Sequence, residues 1–318
     1  STAIKYQVQT VEAIRKFFAS ENFKEVLTPP MVQNPGMETH IHPFEVYSKI
    51  SAQSKGMFLH TSPEFELKQV LTHLEEFQNI YSISYCFRDE PNSPHHRHQF
   101  LMLEWYRKNH RYEKIMEDLK NLVSHCFESL GCEVPENFEY KTVSELFHEH
   151  AGFEILDFLD AKRLREKILK DLPTVPIPDQ ECSFDDYFFL VFLNLIEPKL
   201  VEYPFLIIDK YPAPLAALST ISEDDPRVCE RFELYINGIE IANCFNELTD
   251  FSIQEQRFIE QKEEKKHINK CSYVQACFLS EENQIKVQKE LILSVFNNSN
   301  KRYKIPFQKK EDILIVMK

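Results

Sequence analysis

Residues 80–88 alternate like a strand, residues 100–107 read as a second strand, and successive side chains of such strands take opposite faces. The polar, histidine-rich stretch 89–99 joins them, which makes a long-loop hairpin. A second pair, 231–236 and 239–245, flanks Asn237-Gly238, a turn signal between apolar runs. Residues 205–209 add a further strand. Short strands are expected at 24–27, stopped by Thr28-Pro29-Pro30, and at 57–61.

Helical spacing runs through 6–19, where Val8, Val11, Ile14, Phe17 and Phe18 recur. Ser62-Pro63-Glu64 opens a helix reaching residue 71, with proline near its first turn. Residues 112–130 are amphipathic, and 251–266 form a charged helix. The mainly helical stretches 142–172 and 184–195 read as an insertion, about 140–200, between halves of a sheet. A helix at 281–296 and a closing strand at 312–317 are expected in an atypical segment, about 266–318. No repeat or linker rich in Gly, Ser or Pro divides the chain. The expectation is therefore a single α+β domain over 1–318, with an antiparallel sheet flanked by helices.

The longest mostly apolar run, 187–196, falls far short of the roughly 20 residues a membrane span needs. No basic-then-apolar leader pattern opens the sequence. A cytoplasmic protein without membrane contact is expected. The eight cysteines lack any C-x-x-C pair, so a zinc ribbon is not indicated. Formal net charge is −13, a field that repels nucleic acid rather than steering it in.

Two clusters carry chemistry. In the first hairpin Arg88 and Glu90 share a face, as do Glu104 and Tyr106. An arginine and carboxylates converging on one sheet face need pairing or a ligand. In the second, Glu233 and Glu240 flank the turn, so a hairpin brings them together. Such carboxylates suit Mg²⁺ held against polyphosphate oxygens. Glu247 offers a place for an ammonium. Solvated faces with surface salt bridges remain the alternative for both clusters.

Several blocks resemble the lysyl branch of the class II aminoacyl-tRNA synthetases, most of all its short paralogues that acylate elongation factor P. Phe87-Arg88-Asp89-Glu90 followed by Met102-Leu103-Glu104-Trp105-Tyr106-Arg107 is similar to the family's second motif. His60-Thr61-Ser62-Pro63-Glu64, then Leu67-Lys68, resembles its amino-acid-binding helix start. Arg227 to Glu233, Gly238-Ile239-Glu240 and Ala242 to Asp250 resemble the strand pair of its lysine site. Residues 17–29 are similar to the first motif, a dimer-forming helix and strand, and Tyr211 to Leu218 is also familial. Coverage runs from about residue 8 to 260.

The resemblance implies a class II synthetase-type catalytic domain using ATP and Mg²⁺. Arg88 would be catalytic, holding the ATP α-phosphate and the substrate carboxylate. Glu90, His96 and Phe100 would complete the ATP site, with Phe100 on adenine. Glu233 and Glu240 would bind the metal. Glu64, Glu104, Tyr106, Asn243, Phe245 and Glu247 would enclose a lysine-like amino acid, acids facing its two amines. The implied reaction is adenylation of (R)-β-lysine or lysine, then transfer to a lysine side chain of elongation factor P. A sequence starting at the first motif, an acidic charge and the Leu103-Glu104-Trp105-Tyr106 wording all make tRNA an unlikely partner. A homodimer is possible.

The pattern breaks in three places. The third motif, a Gly-rich strand and helix carrying an arginine, is absent: Gly238 is the last glycine, and Arg257 and Arg302 are the only later arginines. A degenerate non-catalytic paralogue, a divergent active enzyme and a carboxyl terminus altered by a reading-frame error all accommodate that ending. Arg97-His98-Gln99 stands where the family tends to have Asn-Pro-Glu. Cys244 replaces a usual glycine and is expected to narrow the pocket. The run His95, His96, His98 has no accompanying ligands of fixed spacing and does not indicate a metal site.

Overall fold

The computed structural model describes residues 2–36, 41–50, 56–89, 97–267, 287–291 and 315–317. The chain packs as two compact units, Ser1–Val134 with Glu247–Lys318, and Pro135–Asn246.

The first unit opens with α1 (Thr2–Ser20), which buries Ala13, Ile14, Phe17 and Phe18, while Val8 stays 50% exposed. Next come β1 (Lys24–Glu25), β2 (Met31–Val32), β3 (Glu45–Val46) and β4 (Met57–Leu59). The last three form a small antiparallel sheet in the order β2-β4-β3. Helix α2 (Glu64–His73) begins after Pro63, and β5 (Asn79–Phe87) and β6 (Gln99–Lys108) make the expected hairpin. β1 lies parallel to β5, and α3 (Tyr112–Ser129) follows.

The period of two gives this hairpin two unlike faces. On one, Tyr81 and Trp105 pack on Phe18 of α1, with ring centroids 4.5 and 5.4 Å away. Arg107 shares that face and donates to Asp118 of α3 at 2.5 Å and to Glu21 at 3.1 Å. The other face carries Phe100, Met102, Glu104 and Tyr106. There Tyr106 joins Ile80 in a cluster with Leu67 and Leu71 of α2. One side is core; the other is covered by a helix that begins with an acid.

The second unit contains β7 (Glu139–Thr142), α4 (Val143–Ala151), α5 (Ala161–Asp171) and α6 (Phe184–Val191). Its remaining strands are β8 (Phe205–Asp209), β9 (Arg231–Ile236) and β10 (Ile239–Asn246). β7 is parallel to β8, and β8, β9 and β10 are antiparallel neighbours. The mainly helical stretch 142–172 is divided into α4 and α5, with a short 3-10 turn, Ile155–Asp157, between them. Thr142 closes a capping box with Glu145, Gly152 at φ 76° ends α4, and Asp160 caps α5. Leu146, Phe147, Leu164, Ile168 and Phe188 pack on Leu206 and Ile208. Asn237 and Gly238 both have positive φ, as a two-residue hairpin turn of this type requires. A Cβ on Gly238 would meet the Val201 nitrogen at 3.0 Å, so the position excludes side chains twice over.

The chain then returns to the first unit with α7 (Phe251–His267), β11 (Val287–Leu291) and β12 (Ile315–Met317). The expected helix at 281–296 is corrected here. Val287–Leu291 is a strand running antiparallel to β6. An open strand edge has a row of backbone donors and acceptors to satisfy, and that pairing outweighs a local helical pattern. The closing strand, β12, pairs parallel with β6. Among the described residues no helix is long and apolar enough to cross a membrane.

Candidate active site

In the first unit, Arg88 follows β5 and belongs to the same strand face as Cys86 and Phe100. Its backbone N–H donates to the His98 carbonyl at 3.0 Å, so the hairpin ladder continues one step past β5. The guanidinium lies 5.2 Å from the Phe100 ring centroid. Its Nε and Nη2 are buried without a hydrogen-bond partner among the described residues. A planar fork of donors left open beside an aromatic ring is suited to a phosphate or carboxylate.

Farther along that face Glu104 is fully buried, and Tyr106 donates its hydroxyl to it at 3.0 Å. Helix α2 supplies Glu64 in its first turn, where the helix dipole favours an acid. One turn later Lys68 donates to Glu64 at 2.7 Å and to Glu247 at 2.6 Å, and all three are buried. Six of the expected residues, Glu64, Arg88, Phe100, Glu104, Tyr106 and Glu247, thus belong to this unit. Glu90 and His96 lie outside the described residues. His60, from the same sequence block as Glu64, is fully buried, and its Nε2 is 2.7 Å from the Tyr85 carbonyl. Burial lowers its pKa below the ordinary histidine value.

The second unit holds the other four. In β9 and β10, Glu240 pairs with Tyr235, Asn243 with Glu233, and Phe245 with Arg231, with a register shift between Glu240 and Ala242. This bulge decides the geometry. Without it, even-numbered Glu240 would point away from odd-numbered Asn243 and Phe245; the extra residue turns all three to one face. On that face Glu233 accepts from Arg231 Nη2 at 2.5 Å, Tyr211 Oη at 2.5 Å and Tyr235 Oη at 2.8 Å. Arg231 lies between the rings of Tyr211 and Phe245, at 4.6 and 5.5 Å, and donates to the Leu215 carbonyl.

Burial and then the Glu233 charge push the hydroxyls of Tyr211 and Tyr235 well above the ordinary tyrosine range. For Arg231, burial acts downward, but Glu233 and Tyr211 outweigh it and raise its pKa. Glu197 is raised by burial and by Glu233. Cys244 requires a correction. It opposes Phe232 on the face away from Asn243 and is fully buried, so it does not narrow the face carrying the expected site residues.

Lys68, Arg231, Tyr211 and Tyr235 received no role from the sequence. Glu64 and Lys68 stand four apart on a helix, a spacing that signals an ion pair. Arg231, Glu233 and Tyr235 stand two apart on a strand, which places them on one face. The bulge has no such signal.

An α+β fold with an antiparallel hairpin floor, an open arginine and buried acids is that of a synthetase-type protein. The chain belongs to the family described as tRNA synthetases class II (D, K and N), which it matches over residues 1–280. Among its relatives is the elongation factor P–(R)-beta-lysine ligase of Salmonella paratyphi B, 36% identical over 247 residues, 77% of this chain and 73% of that protein. The ligase of the same name from Proteus mirabilis is 36% identical over 255 residues, 79% and 75% of the two chains. That from Hamiltonella defensa is 34% identical over 250 residues, 78% and 74%.

Proposed function

We propose that the chain activates (R)-β-lysine or lysine with ATP as an aminoacyl-adenylate and transfers the acyl group to a lysine side chain of elongation factor P. The observation that carries this reading is Arg88, a guanidinium over Phe100 with two nitrogens open, on the hairpin face that also bears Glu104 and Tyr106. Relatives named as such ligases support the choice of amino acid and acceptor.

In this mechanism the substrate carboxylate attacks the ATP α-phosphorus and pyrophosphate leaves. Arg88 neutralises charge on the carboxylate and the α-phosphate as the new P–O bond forms. Phe100 offers its ring to adenine. Glu64, Glu104 and Glu247 would face the two amines, with Tyr106 beside Glu104. The acceptor amine then attacks the acyl carbon, AMP leaves, and an amide remains. No side-chain nucleophile is required, because positioning and charge stabilisation do the work.

The acids of the β9–β10 hairpin fit Mg²⁺ in donor chemistry, since this ion favours one or two carboxylates completed by phosphate oxygens. A carboxylate has about four lone-pair positions, and Glu233 already accepts three hydrogen bonds. Glu240 would therefore be the main ligand, with one Glu233 position remaining. The bound ion would neutralise polyphosphate charge. A cytoplasmic homodimer is part of the proposal, with tRNA not a substrate in view of the −13 charge.

Pyrophosphate exchange dependent on (R)-β-lysine, together with elongation factor P gaining the acyl mass by mass spectrometry, tests the reading. Exchange with acylated tRNA and unmodified elongation factor P would replace it with tRNA charging. The missing Gly-rich third motif favours one second reading, a relative that binds an amino acid or protein partner without adenylation. Binding without exchange would select it.

A further inference from the structure

The floor of the first unit carries three neutral hydroxyls that the reaction above does not use. Ser82 Oγ lies 2.5 Å from Ser84 Oγ, and Ser84 Oγ lies 3.1 Å from Thr28 Oγ1 in the segment after β1. Ser82 is fully buried, whereas Ser84 and Thr28 are half-buried. Because β1 is the edge of its sheet and β5 its neighbour, the chain of hydroxyls runs inward from that edge. Register fixes the inner end: in the β5–β6 ladder Ser82 stands opposite Glu104, and Ser84 opposite Met102. Residues opposite each other share a face, with Cβ atoms about 4.5–5.5 Å apart. Ser82 is therefore beside an acid assigned to the amino-acid pocket in the proposed function, and this inference rests on that assignment.

A hydroxyl has one proton to donate and two lone pairs to accept with. In a line of three hydroxyls joined by two hydrogen bonds, one proton is left over, at one end or the other. An ammonium drawn to Glu104 selects the order. Ser82 accepts from it and donates to Ser84, Ser84 donates to Thr28, and the spare proton lies at the outer end. Each oxygen then points toward the cation, and bonds in such a chain strengthen one another. A carboxylate attracts any cation, but a serine oxygen at a fixed place accepts well from an N–H aimed at it. We propose that Ser82 is a specificity-determining residue that accepts a hydrogen bond from the substrate ammonium facing Glu104, with Ser84 and Thr28 as positioning residues that turn its lone pairs toward that ammonium.

The test is calorimetric binding of (R)-β-lysine, and separately of ATP, to the full chain. Ser82→Ala should weaken (R)-β-lysine binding at least about tenfold, the scale of a hydrogen bond to a charged group, while ATP binding stays within about twofold. Ser84→Ala removes the next link and should cost about two- to fivefold for the amino acid. Parental affinity for (R)-β-lysine in Ser82→Ala, equal losses for amino acid and ATP, or a larger loss in Ser84→Ala than in Ser82→Ala would each overturn the inference. Ser82→Cys keeps nearly the parent's shape but offers a weak acceptor, so it separates hydrogen bonding from packing. It should also lose about tenfold for (R)-β-lysine, and parental affinity there would show that Ser82 only fills space. A parent that binds (R)-β-lysine but supports no pyrophosphate exchange defeats the ligase reading and leaves this test intact. A parent that binds no lysine-like acid defeats both.

Discussion

Arg88 and Arg231 sit in similar settings, each beside a hairpin and each over an aromatic ring, yet their terminal groups differ. Arg231 commits one terminal nitrogen to Glu233 and the other to the Leu215 carbonyl, and two rings enclose it. Arg88 has a ring on one side and leaves Nη2 open among the described residues, while Nε is open in both. A guanidinium held by protein acceptors and rings fixes its neighbours; one left open is ready for an anion that arrives from outside. The same residue type is scaffold in one unit and a candidate reagent in the other.

That contrast breaks most readily at Arg88. Arg88→Ala should lower pyrophosphate exchange by about 10³-fold, on the scale of removing a transition-state donor, with a melting temperature close to the parent's. An unchanged rate would remove Arg88 from the mechanism. Arg231→Ala should do the reverse. It strands Glu233 in the interior, so chemical denaturation should show a loss of about 3–5 kcal/mol. Stability equal to the parent's would show that Glu233 does not depend on its guanidinium.

Tyr235→Phe sharpens the comparison more gently. It deletes one of three donors to Glu233 and should destabilise the chain by about 1–2 kcal/mol in the same measurement, well below Arg231→Ala. A loss as large as that of Arg231→Ala would mean the hydroxyls, not the cation, hold the carboxylate.

The smallest effect is expected at His60. Its folded pKa is lowered, so below the ordinary value of 6.5 the unfolded chain takes up a proton that the folded chain resists. Stability is full above that pH and should decline as pH falls from about 6.5 toward the folded value. Melting curves of the parent and His60→Gln should diverge over that interval, the variant having the flatter slope. Parallel slopes would mean that His60 is protonated as easily in the folded chain as in the unfolded one.

Much of this molecule is legible from its sequence because the decisive signals are local. Alternation over residues 80–88, with a second strand at 100–107, gives a hairpin and separates Trp105 from Glu104, since a strand turns each successive side chain to the opposite face. Asn237-Gly238 gives the second hairpin through backbone conformations that few other residues adopt. The spacing of two among Arg231, Glu233 and Tyr235 places them together for the same reason. Residues 142–172 read as one mainly helical stretch, although Thr142, Gly152 and Asp160 start or stop a helix within it.

Tertiary structure alone decided the rest, because those outcomes depend on partners far away in sequence. A one-residue bulge after Glu240 turns that acid to the face of Asn243, and it left no mark in a run of apolar and polar residues. Val287–Leu291 is a strand because β6 has an edge to pair, not because of its own composition. Lys68 meets Glu247 across 179 positions, a contact that exists only once α2 is packed on the Tyr106 face of the hairpin. Sequence fixes which face a side chain takes within its own element; which charge it meets there is settled when distant elements come together.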